Sequence, residues 1–200
     1  MARKKDSLSV YQKRRNFTRS PEPKGDARKK KTKRPIFVIQ KHAARSLHYD
    51  FRLEIDGVLK SWAVPKGLSL NPKDKRLAVP TDDHPLEYAK FEGIIPKGLY
   101  GAGPVIVWDK GTYRNMKKKD GKLVPMEKCY KQGIIEVFLR GKKLKGGYAL
   151  IRTSRAAIKQ WLLIKMRDEY ADARRKPTSS QPESVLSGRT IKELEKEEKQ

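Results

Sequence analysis

The sequence predicts a mainly β fold, a closed or nearly closed antiparallel barrel of about eight strands with one or two short helices. Three observations carry this. Short apolar segments rich in β-branched and aromatic residues recur through the middle of the chain. Glycine-containing turns separate most of them. Helical periodicity is sparse.

Residues 1–34 come first. They hold 14 Lys and Arg against 3 Asp and Glu, a net of +11, and Pro21, Pro23 and Gly25 interrupt them. With few apolar residues they read as a flexible basic arm. Within it, residues 27–34 (ARKKKTKR) form a run of the kind that tracks a phosphate backbone, the plainer reading being a solvated linker. The barrel domain is expected over residues 35–172. Residues 36–39 are a β-type apolar run. Residues 48–55 alternate strictly, Asp56-Gly57 is a two-residue hairpin signal, and residues 58–64 return as a second strand. Residues 76–80, 105–108, 134–139, 147–152 and 160–166 complete the set. Turns are expected at Gly101-Ala102-Gly103, Asp109-Lys110-Gly111, Asp120-Gly121, Gly141 and Gly146-Gly147. Residues 85–91 suit one or two helical turns with Pro85 in the first, and residues 154–158 a short turn. Residues 114–132, Lys-rich and carrying Pro125, read as a long exposed loop or loose hairpin. Residues 173–200 read as a charged tail or linker, with 187–199 a linker or solvated helix rather than core.

Composition narrows the function. Of 200 residues, 48 are Lys or Arg and 23 Asp or Glu, so the formal net charge is +25. Such a balance points to a polyanion, nucleic acid above all. No run of about 18 apolar residues occurs, so no membrane span is expected. The opening MARKKDSLSV has no apolar stretch behind its charges and does not read as a secretory signal. Cys129 is the one cysteine, which rules out an internal disulfide framework and a Cys-rich zinc site. A cytoplasmic location follows.

The three histidines, His42, His48 and His84, fall within a short stretch among charged groups. In an extended strand, His48, Asp50, Arg52 and Glu54 share one face and Tyr49, Phe51, Leu53 and Ile55 the other. The Cβ atoms of His48 and Asp50 then lie roughly 7 Å apart, within reach of a common metal ion. A bend at residues 43–45 would bring His42 back to them. Two imidazoles and one carboxylate leave positions open for water and substrate, and suit Mn²⁺, Zn²⁺ or Fe²⁺. The same spacing also suits a hydrogen-bonded His–Asp pair on a sheet. Arg52, on the same face, favours a phosphate beside the metal, with Lys66 and Arg76 as further positive charge. His84 reads either as an acid or transition-state donor, or as a capping or core histidine.

The segments FVIQKHAARSLHYDFRLEIDGVLKSWAVPKG (37–67), DDHPLEYAKFEGIIPKGLYGAG (82–103) and VIVWDKGTY (105–113) closely resemble the 3′-phosphoesterase domain of the DNA ligase D family. YQKRRNF and SPEPKG resemble that family's N-terminal arm. The resemblance implies a compact barrel with a polar groove and a Mn²⁺-dependent hydrolase, with Zn²⁺ or Co²⁺ as alternative ions. It implies removal of a 3′-terminal ribonucleoside to leave a 3′-phosphate, then hydrolysis of that phosphate to a 3′-hydroxyl. Its substrates would be DNA or RNA-tipped DNA 3′ ends, its partners a DNA ligase and other end-joining proteins, its location nucleoid-associated, its state monomeric. By position, His42, His48 and Asp50 would be metal ligands. Arg52, His84 and Tyr88 would surround the scissile phosphate. Gln40, Lys66, Arg76 and Asp82 would support substrate binding, joined by Arg15 and Glu22 from an arm folded over the site. Two positions depart from the family pattern: Asn16 stands where Asp is usual, and Asp82 where some members have Glu. An acid at position 16 would pair with Arg15, so Asn16 is expected to weaken phosphate removal relative to ribonucleoside removal. The segment SVLSGRTIKELEKE (184–197) resembles the connection into a ligase domain, which reads as a stand-alone enzyme or a piece of a longer one.

Two other classes remain open on sequence alone. A non-haem Fe(II) oxygenase also uses two His and one carboxylate. A non-catalytic nucleic-acid-binding barrel would keep its histidines for structure.

Overall fold

The computed structural model describes residues 8–25, 34–153 and 160–197. In chain order these contain Ser9–Lys13 (α1), Ile36–Ala43 (β1), Leu47–Ile55 (β2), Val58–Val64 (β3), Lys75–Pro80 (β4), a 3₁₀ turn at Leu86–Lys90, Gly93–Ile95 (β5) and Gly103–Asn115 (β6). Then come the small ribbon Lys118–Lys119 (β7) and Lys122–Leu123 (β8), Met126–Gln132 (α2), Ile134–Gly141 (β9), Lys145–Arg152 (β10), Trp161–Lys165 (β11), Pro177–Ser180 (α3) and Ile191–Glu197 (α4).

Every strand pairing is antiparallel. The order runs β1-β2-β3-β4-β11-β10-β9-β6, and β6 pairs back onto β1, which closes an eight-stranded barrel; β5 is added at the edge of β6. Asp56 and Gly57 both take positive φ, 53° and 80°, so the β2–β3 turn has the twist a tight hairpin needs. The expected turn at residues 109–111 is instead continuous strand. Gly111 is there because a Cβ would meet the Arg140 carbonyl oxygen at 2.0 Å, so its glycine serves strand approach rather than reversal.

Alternation divides the barrel wall into two packed faces. Phe37, Ile39, Phe51, Leu53, Trp62, Val137, Leu139 and Tyr148 fill the interior. On the outside, Val38, Leu59, Val105 and Val107 form a second core with Tyr11, Tyr88, Ala89, Phe91 and Ile95. The barrel is therefore packed within and roofed without. The roof consists of the arm and the 3₁₀ segment.

Both chain ends differ from the sequence expectation. The sequence predicts a flexible arm, yet Tyr11 is fully buried and its hydroxyl donates to the Pro23 carbonyl at 2.6 Å. It predicts a solvated tail, yet the Trp108 indole donates to the Gln181 carbonyl at 2.7 Å, and Ile191 and Leu194 of α4 pack on Ile106. In each case a few apolar side chains in a polar segment find a matching patch on the barrel. The long exposed loop or loose hairpin expected over 114–132 holds the β7–β8 hairpin, turned at Asp120-Gly121, and also α2, which begins after Pro125 and ends at Gly133 in the left-handed conformation. The turn expected at 154–158 and most of the basic run 27–34 lie outside the described residues.

Candidate active site

The β1–β2 hairpin places His42 directly opposite His48, with ring centroids 4.8 Å apart, and Gln40 opposite Asp50. All four side chains are on the outer face, opposite to the interior set of Tyr49, Phe51 and Leu53. Asp50 Oδ2 lies 3.5 Å from His42 Nδ1 and 3.7 Å from His48 Nε2. One donor atom from each of the three residues falls within a 4.8 Å cluster. The other ring nitrogens are occupied: His42 Nε2 donates to the Gly101 carbonyl at 2.8 Å, and His48 Nδ1 to the Ser46 carbonyl at 2.9 Å. A carbonyl only accepts, so each of these nitrogens is the donor, and the second ring nitrogen of each imidazole faces Asp50. That is the outer-shell arrangement which fixes metal-ligating histidines, and these residues fit a divalent cation. Burial alone would raise the Asp50 pKa, but Arg52 and the two histidines outweigh it and hold the carboxyl well below its usual range.

Arg52 extends the site along β2. It donates to Asp50 Oδ2 at 3.2 Å and to Gln40 Oε1 at 2.8 Å, and Nη1 sits 2.9 Å from His84 Nδ1. Gln40 is fully buried and its amide donates to the Tyr88 and Phe91 carbonyls. It therefore positions the guanidinium and the 3₁₀ segment together. Arg15 enters from the arm. Glu22 accepts from it at 2.9 Å, Tyr11 stacks beneath it at 3.9 Å, and Nη2 lies 3.1 Å from His84 Nε2. The Tyr88 hydroxyl donates to the same Glu22 at 3.0 Å. Burial, reinforced by Glu22, drives the Tyr88 pKa well above its ordinary value.

His84 thus lies between two guanidinium groups, and its Nδ1 also faces the Asp82 carbonyl at 2.8 Å. Two nitrogens cannot satisfy two donors and an acceptor at once. Burial first, then Arg52 and Arg15, push its pKa well down, so the resting ring is neutral. A cleft of about 480 Å³ opens over these groups, lined by Arg15, His42, His48, Asp50, Arg52, Asp82, His84 and Tyr88 among others. The groove lies on the outside of the barrel, beneath the roof.

Other sequence candidates fall elsewhere. Glu22 and Gln40 are buried behind the cleft and hold Arg15, Tyr88 and Arg52 in place. Lys66 is exposed beyond the end of β3, and Arg76 on β4 pairs with Asp74 at 2.8 Å; neither lines the cleft. Asp82 pairs with Arg14 at 3.0 Å and stands 3.6 Å from Arg15. Asn16 does not join Arg15 in the manner expected of an acid there. It is exposed and accepts from the Thr18 amide and hydroxyl at 3.1 and 2.6 Å, while Glu22 fixes the guanidinium. The sequence reading missed Ser61, 3.3 Å from His84 Nδ1, and Tyr100, a cleft-lining ring beside Arg14 and Arg15. The GLYGAG segment held the only hint of the latter.

Fold and site together define a class: a closed antiparallel barrel with a two-histidine, one-carboxylate cluster able to hold a cation, beside paired arginines on its outer wall. Comparison with known proteins gives the family. The DNA Ligase D 3′-phosphoesterase domain model matches residues 40–152, and the chain belongs to that family. It is 48% identical over 188 residues to the multifunctional non-homologous end joining protein LigD of Pseudomonas aeruginosa, covering 92% of this chain and 22% of that protein. It is 46% identical over 164 residues to the multifunctional non-homologous end joining DNA repair protein LigD of Mycobacterium tuberculosis, covering 82% and 20%. The LigD of Mycolicibacterium smegmatis is 46% identical over 167 residues, covering 82% and 21%. The chain thus spans about a fifth of the length of the curated relatives it matches.

Proposed function

We propose that this chain is a Mn²⁺-dependent phosphoesterase that heals DNA 3′ ends during non-homologous end joining. It removes a 3′-terminal ribonucleoside to leave a 3′-phosphate, then hydrolyses that phosphate to a 3′-hydroxyl for a DNA ligase. The observation that carries this is Asp50, faced by two imidazole nitrogens on one side and by Arg52 on the other. A cation site and an anion clamp then share one carboxylate, as a phosphoryl group touching both requires.

His42, His48 and Asp50 would hold the ion; Zn²⁺ and Co²⁺ suit the same donors. The chemistry a divalent ion supplies there is Lewis-acid polarisation of the phosphoryl group. Arg15 and Arg52 grip the remaining phosphoryl oxygens. Burial, then Arg52 and Arg15, keep His84 neutral at rest; a bound phosphate beside the ring offsets the two positive charges and favours its protonation as substrate binds. The ring delivers that proton to the leaving oxygen, O5′ of the ribonucleoside in the first step and O3′ of the DNA in the second. Water supplies the hydroxyl that replaces it. Tyr88 lines the cleft un-ionised, with Glu22 and Gln40 as positioning residues. Asp82 holds the two arm arginines, and Lys66 and Arg76 contact the nucleic acid outside the cleft.

A 5′-labelled duplex ending in one ribonucleotide, incubated with and without Mn²⁺, tests this. The expected result is a 3′-phosphate product followed by a 3′-hydroxyl product, both only with the metal. Absence of both products under all divalent ions would overturn the reading.

A further inference from the structure

A second basic site lies at the opposite end of β1. Arg34, Arg114 and Arg140 line a cavity of about 340 Å³ with Pro35, Thr112, Tyr113 and Asn115. Arg140 is paired with Thr112 across β6 and β9, and Arg114 lies over the Phe138 ring at 4.9 Å, which restricts its guanidinium. The flanking Tyr113 and Leu139 point into the barrel, so Arg114 and Arg140 face outward, as do the active-site residues. Among the described residues, no Asp or Glu lines the cavity. In sequence, Arg34 ends the basic run that starts at residue 27.

We propose that this cavity anchors the phosphodiester backbone of a DNA duplex whose 3′ end occupies the cleft; the inference rests on the end-healing reading above. Thr112 is opposite Ile36 and Val105 opposite His42, so six strand residues separate the two sites. At about 3.3 Å per residue that is about 20 Å. One step of B-DNA rises about 3.4 Å, so the anchor engages phosphates about six base pairs inward from the end. Arginine forks suit phosphate oxygens, and exposed guanidiniums give contact without sequence preference. The site sets where along the duplex the enzyme grips, and takes no part in bond breaking.

The test is binding of a labelled 18-base-pair duplex by fluorescence anisotropy across salt, without added metal, to the full chain and to the Arg114→Gln/Arg140→Gln double variant. The expected result is a loss of roughly tenfold in affinity at low salt. The slope of log affinity against log salt should shrink by about 1.8, for two lost contacts. Arg114→Lys/Arg140→Lys should restore most of that slope. Turnover of a 3′-phosphorylated trinucleotide, too short to reach the cavity, should be unchanged in the Gln variant, which also shows that the site is folded. An unaltered salt slope in the Gln variant overturns the anchor. Equal loss on the trinucleotide also overturns it, because the effect would then not depend on reach. Because binding is read without catalysis, loss of the end-healing reading would show separately, as a wild-type chain that binds through the cavity yet turns over no 3′ end.

Discussion

At the scale of single residues, the site is built from shared partners. Asp50 serves two histidines and Arg52, and Glu22 serves Arg15 and Tyr88. His48→Ala should abolish turnover of a ribonucleotide-tipped duplex and weaken Mn²⁺ binding measured by calorimetry; full activity with unaltered metal affinity would remove His48 from the centre. His84 offers a test in pH. Its folded pKa lies below the ordinary 6.5, because burial and two arginines disfavour the imidazolium. The unfolded chain therefore binds the extra proton first, and stability is intact above about 6.5 and lost as pH falls below it. The melting temperature of metal-free protein should drop between about pH 6.5 and 5, and His84→Gln should flatten that part of the curve. The carboxyl of Asp50, held low, acts only at more acidic pH and does not confuse the reading. Much of this centre was legible beforehand, since period two alone placed His48, Asp50 and Arg52 on one face. The role of Glu22 was not, because it depends on Tyr88, 66 residues away.

At the scale of elements, strands were legible where alternation was strict, as in β2, and their partners followed from the Asp56-Gly57 turn. What escaped was local structure whose stability comes from elsewhere. The α1 helix has five residues, too short to persist alone, and it is held by Tyr11 inside the outer core. The α2 helix carried its own signals in Pro125, Gly133 and the i, i+4 pair Met126 and Tyr130, which pack on the interior core, but a high Lys content masked them. β5 has three residues and exists only as an addition to β6. Tyr11 gives the arm its attachment, so Tyr11→Ala should do more than lower stability by about 3 kcal/mol. It also removes the ring beneath Arg15, and turnover should fall further than the loss of folded protein measured by circular dichroism. A fall in activity that merely tracks the folded fraction would make Tyr11 purely structural.

At the scale of the whole molecule, charge and architecture divide the work. The barrel interior is apolar and filled, so the charged groups that make up the net +25 stand on the outer wall and at the chain ends, the surface a polyanion would have to meet. Replacing the five Lys and Arg of residues 28–33 with Gln removes five positive charges between α1 and β1 while keeping the length of the connection. The salt slope of duplex binding should shrink while turnover of a trinucleotide stays unchanged; an unaltered slope would place the backbone contacts wholly on the barrel. The roof has a consequence of another kind. Residues 8–25 contribute Arg15 and Glu22, yet reach β1 only through the segment that follows, and the barrel closes without them. The enzyme is therefore divisible at that joint. A chain beginning at residue 34 should fold but be nearly inert. A synthetic peptide of residues 8–25 added to it should restore turnover along a saturable dose curve, and one carrying Arg15→Gln should occupy the same seat without restoring it.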